Sequence, residues 1–237
     1  MLKAVGLYED VSYRFSQWDP DDREKYIGTP EQWDEAQGMM AKILNHLQIP
    51  YKIGIGEAAF YGPKLDIQIK NVFGKEDTLI TIQIDQMLAE NFGMEYVDRD
   101  GVKKHPYIIH RTSIGCYERT LALLIEKYAG ALPLWIAPTQ VIVLPIADRH
   151  DDACKAVAAK LEAAGIRVEV DHRNEKLGYK LREAQLQKIP YMLVVGDKEA
   201  EDGTVSVRKR GAGDIGTMSA DDFTALCVKE VKELAIW

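Results

Sequence analysis

"HPYIIHRTSIGCYERTLALL", residues 105–124, reads as a strand that runs straight into a helix. The apolar run of PYIIH suits a strand over 107–112, Gly115 suits a turn, and Leu121, Leu124, Ile125 and Tyr128 recur at helical spacing until Gly130. This predicts a helix over 116–129 with that apolar side, and Cys116, turned toward the core. His110, Arg111, Glu118 and Arg119 gather polar groups at the junction. Arg119 falls in the first helical turn, and helical side chains lean toward the N-terminus, so its guanidinium points back toward the strand end. A cation beside the partial positive charge of a helix start is poorly placed for stability and well placed for a phosphate. A surface ion pair with Glu118 is the alternative that the pattern leaves open.

Upstream, "GTPEQWDEAQGMMAKILNHLQ" opens with Thr29, Pro30 and Gln32, the residue types of a capping box with proline at the first helical position. The segments "YKIGIGE", "KLDIQIKNV" and "TLITIQIDQML" then alternate with period two, and Asp100-Gly101 suits a turn before the strand at 107. A largely antiparallel sheet with packed helices follows. Leu65, Ile67 and Ile69 share one face of it, while Lys64, Asp66, Gln68 and Lys70 share the other. Gln83 and Asp85 likewise oppose Ile82 and Ile84. Antiparallel sheets often leave one face to water, so the polar side is either solvated or the floor of a ligand site.

Downstream, Pro133 and Pro138 flank Trp135 and the pattern changes, which places a domain boundary near residue 138. Residues 1–138 form the α+β domain and 139–237 a three-layer α/β domain with a mixed, mainly parallel sheet. In the latter "QVIVLPI", "IRVEV" and "YMLVVG" are strands. Helices lie between them, a further strand is "TVSVRKR", and Ser219 caps a last helix. Arg173, Lys176, Lys180, Arg182 and Lys188 form a basic patch in a chain of net charge −7. Cys116, Cys154 and Cys227 are distant and odd in number, which suits small apolar fillers better than disulfides or a metal knuckle. No apolar run approaches the roughly 18–20 residues that cross a bilayer, so a cytoplasmic protein is expected, with no membrane partner.

"IIHRTSIGCYERTLALLIEKYAGALPLWIAP" resembles motif 3 of class II aminoacyl-tRNA synthetases, in the His-Arg and Glu-Arg version of the threonyl-tRNA synthetases. "GEAAFYGPKLDIQIKNVFGKEDTLITIQID" and "DHRNEKLGYKLREAQLQKIPYMLVVGDKEAEDGTVSVRKRG" are similar to the preceding strands and to the anticodon-binding domain of the same family. The resemblance implies an enzyme that joins threonine to ATP, with Mg2+, and passes the acyl group to tRNA(Thr), acting as a homodimer. It implies that Arg119 holds the ATP phosphates, that Tyr61, Lys64 and Gln83 line the threonine and adenylate pocket, and that His110 is one of three ligands of a zinc ion. Asn174, Glu199 and Arg208 would meet the anticodon, the last two at its middle guanine.

The chain also departs from the family. Motifs 1 and 2 and the other two zinc ligands are not found, so the chain is expected to begin after motif 2. On that reading it binds the anticodon, does not retain zinc by itself, and is catalytically incomplete. Thr78 stands where some relatives carry a ribose-contacting glutamine. From the residues alone Glu199 and Arg208 also fit a simple salt bridge, and His110 a structural histidine. A non-catalytic, synthetase-like protein that binds tRNA or a partner is the second reading.

Overall fold

The computed structural model describes all 237 residues. By packing the chain divides into Met1–Leu123 and Leu124–Trp237.

The first unit contains β1 (Val11–Gln17), α1 (Pro30–His46), β2 (Tyr51–Ile55), β3 (Lys64–Lys70), β4 (Glu76–Asp85), α2 (Leu88–Asn91), β5 (Tyr96–Val97), β6 (Lys103–Lys104) and β7 (Ile108–Arg111). Its sheet runs β2-β1-β3-β4-β7, antiparallel at every step except β1 against β2. The expected capping box starts α1: Gln32 N donates to Thr29 Oγ1 at 3.3 Å and Thr29 N to Gln32 Oε1 at 2.8 Å. The helix buries Ala36, Met40 and Leu44 against Phe15, Leu65 and Ile84, which covers the apolar face of the sheet. The register Lys64↔Gln83↔His110 and Asp66↔Thr81 sets the polar residues side by side on the other face.

Helix α3 (Tyr117–Lys127) follows β7 and runs across the division. Its entry is fixed by Gly115, at φ 74°, whose backbone lies so close to β4 that a Cβ there would sit 2.0 Å from the carbonyl oxygen of Leu79. Thr120 Oγ1 also donates to Ile114 O at 2.8 Å. Held this way, the helix buries Thr120, Leu123 and Leu124, so the side read from spacing holds at Leu124 and is corrected at Leu121 and Ile125, which are exposed. Cys116 precedes the helix and is exposed, its thiol donating to Glu118 Oε2 at 3.0 Å, so it is not turned toward the core.

The second unit contains β8 (Val141–Pro145), α4 (Asp151–Ala163), β9 (Val168–Val170), α5 (Leu177–Leu186), β10 (Tyr191–Val195), α6 (Asp197–Asp202), β11 (Thr204–Lys209), β12 (Gly213–Ser219) and α7 (Ala220–Lys232). The order is β12-β11-β10-β8-β9, with β8 parallel to both neighbours and β11 antiparallel to both of its own. Val143, Leu193, Val205 and Val207 meet Cys154, Leu161 and Phe223 on the side of α4 and α7, whereas Leu144 and Met192 meet Ala184 beneath α5. Burial on both faces is why β8 reads as an unbroken apolar run. Burial pushes the thiols of Cys154 and Cys227 up to about 12, in keeping with their role as fillers. Strand β12 has no counterpart among the expected elements. It is a mostly exposed edge with glycines at 213 and 216 and little apolar signal.

The segment before β8 is packed into this unit. Leu134 is fully buried in its core, Gln140 Nε2 donates to Leu134 O at 2.8 Å, and Arg167 donates to the carbonyls of Trp135, Ala137 and Pro138. Arg210 donates to the carbonyls of Ala131, Leu132 and Lys188.

Candidate functional site

Across β3, β4 and β7 the polar face carries Lys64, Gln83 and His110 in one row. Tyr61 joins them from the loop before β3. Its hydroxyl donates to Gln83 Oε1 at 2.6 Å, and its ring stands edge-on to the His110 imidazole with centroids 6.0 Å apart. That loop is pressed onto β4 at Gly62, where a Cβ would lie 1.7 Å from Ile84 O. His110 Nε2 lies 2.8 Å from Asp85 Oδ2, and Asp85 Oδ1 accepts the amides of Met87 and Leu88 at 2.8 and 2.9 Å. Burial pushes the Asp85 carboxyl up, but the bonds from His110, Leu88 and Met87 outweigh it and hold the group below its ordinary value. Burial, and then the nearby Asp85 charge, raise the Tyr61 phenol.

Beneath this row the face is sealed and satisfied. Asp66 is fully buried and takes Ser16 Oγ at 2.9 Å, Thr81 Oγ1 at 2.8 Å and Lys64 Nζ at 3.0 Å. Gln68 is buried against Thr78 Oγ1. Of the two explanations for a polar face, solvation therefore does not apply at Asp66 and Gln68. Tyr61, Lys64, Gln83 and His110 are half-buried at its upper edge, the condition of side chains that can both be held and be reached.

Arg119 is exposed and does not pair with Glu118; its Nη1 donates to Thr78 O on β4 at 2.5 Å. No hydrogen bond or ion pair joins Arg119 to Gln83. No group of three His, Cys, Asp or Glu side chains could hold a metal ion. The Nδ1 of His110 makes no hydrogen bond to the protein, while Asp85 occupies Nε2.

In the second unit the loops after β8, β9 and β10 emerge at one end of the parallel strands, where open α/β sheets commonly bind ligands. Asn174 is exposed on the loop after β9. Glu199 lies in the first turn of α6, its Oε2 accepting Gly196 N at 3.0 Å. Arg208 sits on β11 where the register shifts after Val207, with Asp214 at 3.9 Å. Glu199 and Arg208 therefore do not form the salt bridge that their spacing also allows. The basic patch is smaller than its composition suggests. Lys180 is buried and donates to Asp171 O at 2.9 Å, Arg173 is bidentate on Asp171, and Lys188 is bonded to Ala129 O. Lys176 and Arg182 are exposed without a carboxylate partner.

Asp85, Asp66, His150 and Asp197 escaped the sequence reading as organising residues. Alternation put both strand aspartates on the polar side, but their partners, 25 and 50 residues away in the cases of His110 and Ser16, are brought in by strand register.

A model of the class II tRNA synthetase core domain (G, H, P, S and T) matches residues 13–128, and one of the anticodon binding domain matches residues 140–230. The threonine–tRNA ligase of Clostridium perfringens (strain SM101 / Type A) is 60% identical over 231 residues, which is 98% of this chain and 36% of that protein. Threonine–tRNA ligase 1 of Bacillus subtilis (strain 168) is 49% identical over 242 residues, covering 98% of this chain and 38% of its own. Among solved structures, the RNA binding domain of threonyl-tRNA synthetase from Cryptosporidium parvum Iowa II superposes with a TM-score of 0.83 at 32% identity, over 92% of this chain and 55% of that one. The chain thus spans little more than a third of the length of the curated relatives it matches.

Proposed function

The chain belongs to the threonine–tRNA ligase family, and from that premise we propose that residues 139–237 bind the anticodon loop of a threonine tRNA while residues 1–138 supply part of the pocket in which the longer enzyme activates threonine with ATP. The observation that carries the reading is the row Lys64, Gln83 and His110 on three neighbouring strands, with Tyr61 bonded into it.

In the activation step the threonine carboxylate attacks the α-phosphorus of ATP, brought in with Mg2+, and pyrophosphate leaves. Arg119, an exposed guanidinium beside β4, would steady the charge on the phosphates as that bond breaks. With its Oε1 taken by Tyr61, Gln83 offers its amide N–H groups as donors, and Lys64, fixed by Asp66, offers an ammonium. Zinc, which the family resemblance implies, would supply a Lewis acid for the amino and hydroxyl groups of threonine, with His110 as one of its ligands. Here His110 is a single donor where such a site needs at least three, so the residues present do not by themselves fit the metal and no step is routed through it.

In the second unit Glu199 can accept from guanine N1 and N2, Arg208 can donate to O6 and N7, Asn174 can bond the loop, and Lys176 and Arg182 can neutralise its phosphates. The complete enzyme would act as a homodimer in the cytoplasm, with threonine, ATP and tRNA(Thr) as its partners.

Two measurements test this. The 237-residue chain should bind a labelled threonine anticodon stem-loop and should not catalyse threonine-dependent ATP–pyrophosphate exchange until extended to the length of its relatives. Equal affinity for an unrelated hairpin, or exchange by the chain alone, would overturn the respective half of the proposal.

A further inference from the structure

Resting on the anticodon-binding reading, we propose that Asp197 is a positioning residue for base recognition: clasped by Arg149 and His150, it sets the short helix that carries Glu199. Arg149 grips it with one edge of its guanidinium, Nε to Oδ1 at 2.8 Å and Nη2 to Oδ2 at 2.7 Å. His150 reaches the same carboxylate with Nε2 at 2.8 Å from Oδ1.

The histidine is a rigid strut. It is only 3% exposed, and its Nδ1 accepts the amide of Ala147 at 3.2 Å, which leaves the proton on Nε2 to be donated to Asp197. Both ring nitrogens are thereby used, one within the loop after β8 and one on the first residue of α6. Arg149 and then His150 hold the Asp197 carboxyl well below the usual carboxylate range, so it stays ionised for both partners.

Helix α6 spans only Asp197–Asp202, far too short to be stable in isolation, so its placement depends on what holds its ends. Glu199 lies in the same first turn as Asp197. Its Oε2 is spent on Gly196 N, and Oε1 has no protein partner. A carboxylate anchored by one oxygen presents the open one, with both its lone pairs, to base donors from a fixed direction. The clasp is what ties that oxygen to the rest of the sheet end, because His150 belongs to the loop leaving β8 and Glu199 to the helix leaving β10.

The test uses the whole chain and two anticodon stem-loops that differ at the middle base, guanosine or inosine, the latter lacking the N2 amino group that a carboxylate would accept from. Wild type should prefer guanosine by about tenfold, the worth of one hydrogen bond to a charged group. Asp197→Asn and Arg149→Ala, checked for an unchanged fold by their unfolding midpoints, should reduce that preference to about twofold or less, while binding of the inosine RNA and the salt dependence stay near wild type. The Arg149 side chain is largely exposed, so its variant serves if Asp197→Asn fails to fold. A guanosine preference that survives in the folded variants, or an equal loss of affinity for both RNAs, overturns the positioning role. A wild type without preference, or a Glu199→Gln variant that keeps it, overturns the recognition by Glu199 itself and with it this proposal. That failure is distinct from one in which wild type discriminates and the clasp variants still do.

Discussion

His110 and Asp85 meet at 2.8 Å between β7 and the end of β4, and the second oxygen of Asp85 caps the turn that follows by taking the amides of Met87 and Leu88. One buried carboxylate thus holds a candidate substrate-site imidazole and the chain's exit from the central strand. Asp85→Ala is expected to lower stability by about 2–4 kcal/mol, because three part-buried donors lose a buried, charged acceptor. Asp85→Asn, which keeps an oxygen for the amides, should cost about half as much. Urea unfolding of both variants checks the order; an alanine no worse than asparagine would count against the capping role.

The close approach of Gly115 to Leu79 O leaves no room for a side chain, and its φ of 74° disfavours one independently. Gly115→Ala is expected to cost about 3 kcal/mol or more. Gly165→Ala, at φ 81° with open space around it, should cost only about 1 kcal/mol. Denaturant midpoints of the two variants measure the difference, which isolates the backbone contact from the dihedral penalty.

Asp171 is buried and held below its ordinary value of 3.8 by the bidentate Arg173, against the opposing effect of burial. A carboxyl whose folded value is depressed contributes stability in full above its unfolded value and loses it as pH falls toward the folded one. Between neutral pH and about pH 3 the wild type should therefore lose more stability than Asp171→Asn. Urea titrations at the two pH values give the difference directly, and equal losses would show the pair to be thermodynamically silent.

Arg182 is exposed and free of carboxylates, whereas Lys180, two positions earlier, is buried on carbonyl groups. Arg182→Ala should leave the fold intact and reduce the slope of log affinity against log salt by about 0.7 for a single-stranded loop. Lys180→Ala should instead destabilise the second unit. Salt titrations of stem-loop binding, alongside unfolding curves, separate the phosphate contact from the structural lysine.

Local signals were strong where the chain itself supplies the cause. Thr29, Pro30 and Gln32 mark the start of α1, the apolar run at 141–145 marks a doubly buried strand, and alternation separates Lys64, Asp66 and Gln83 from the core. Spacing misplaces Leu121 and Ile125 of α3 because apolar periodicity alone does not say which side is buried; the backbone contact at Gly115 and the bond from Thr120 fix how the helix enters. Strand β12 went unread because an exposed edge needs no apolar face. The basic patch was overestimated for the complementary reason that charge in a sequence carries no burial, and Lys180 and Arg173 are committed to Asp171 and its carbonyl. Register then joins residues such as Ser16 and Asp66 that no window of sequence would compare.

The stretch from Ala131 to Pro138 is spoken for by Arg167 and Arg210 and by the burial of Leu134. A knife placed at residue 138, where the two family modules are proposed to meet, would strip two guanidinium groups of most of their acceptors and pull a leucine out of a closed core. Anyone dissecting the second unit for crystallography or NMR should start the fragment upstream, by about residue 129, so that this collar travels with the domain it fastens.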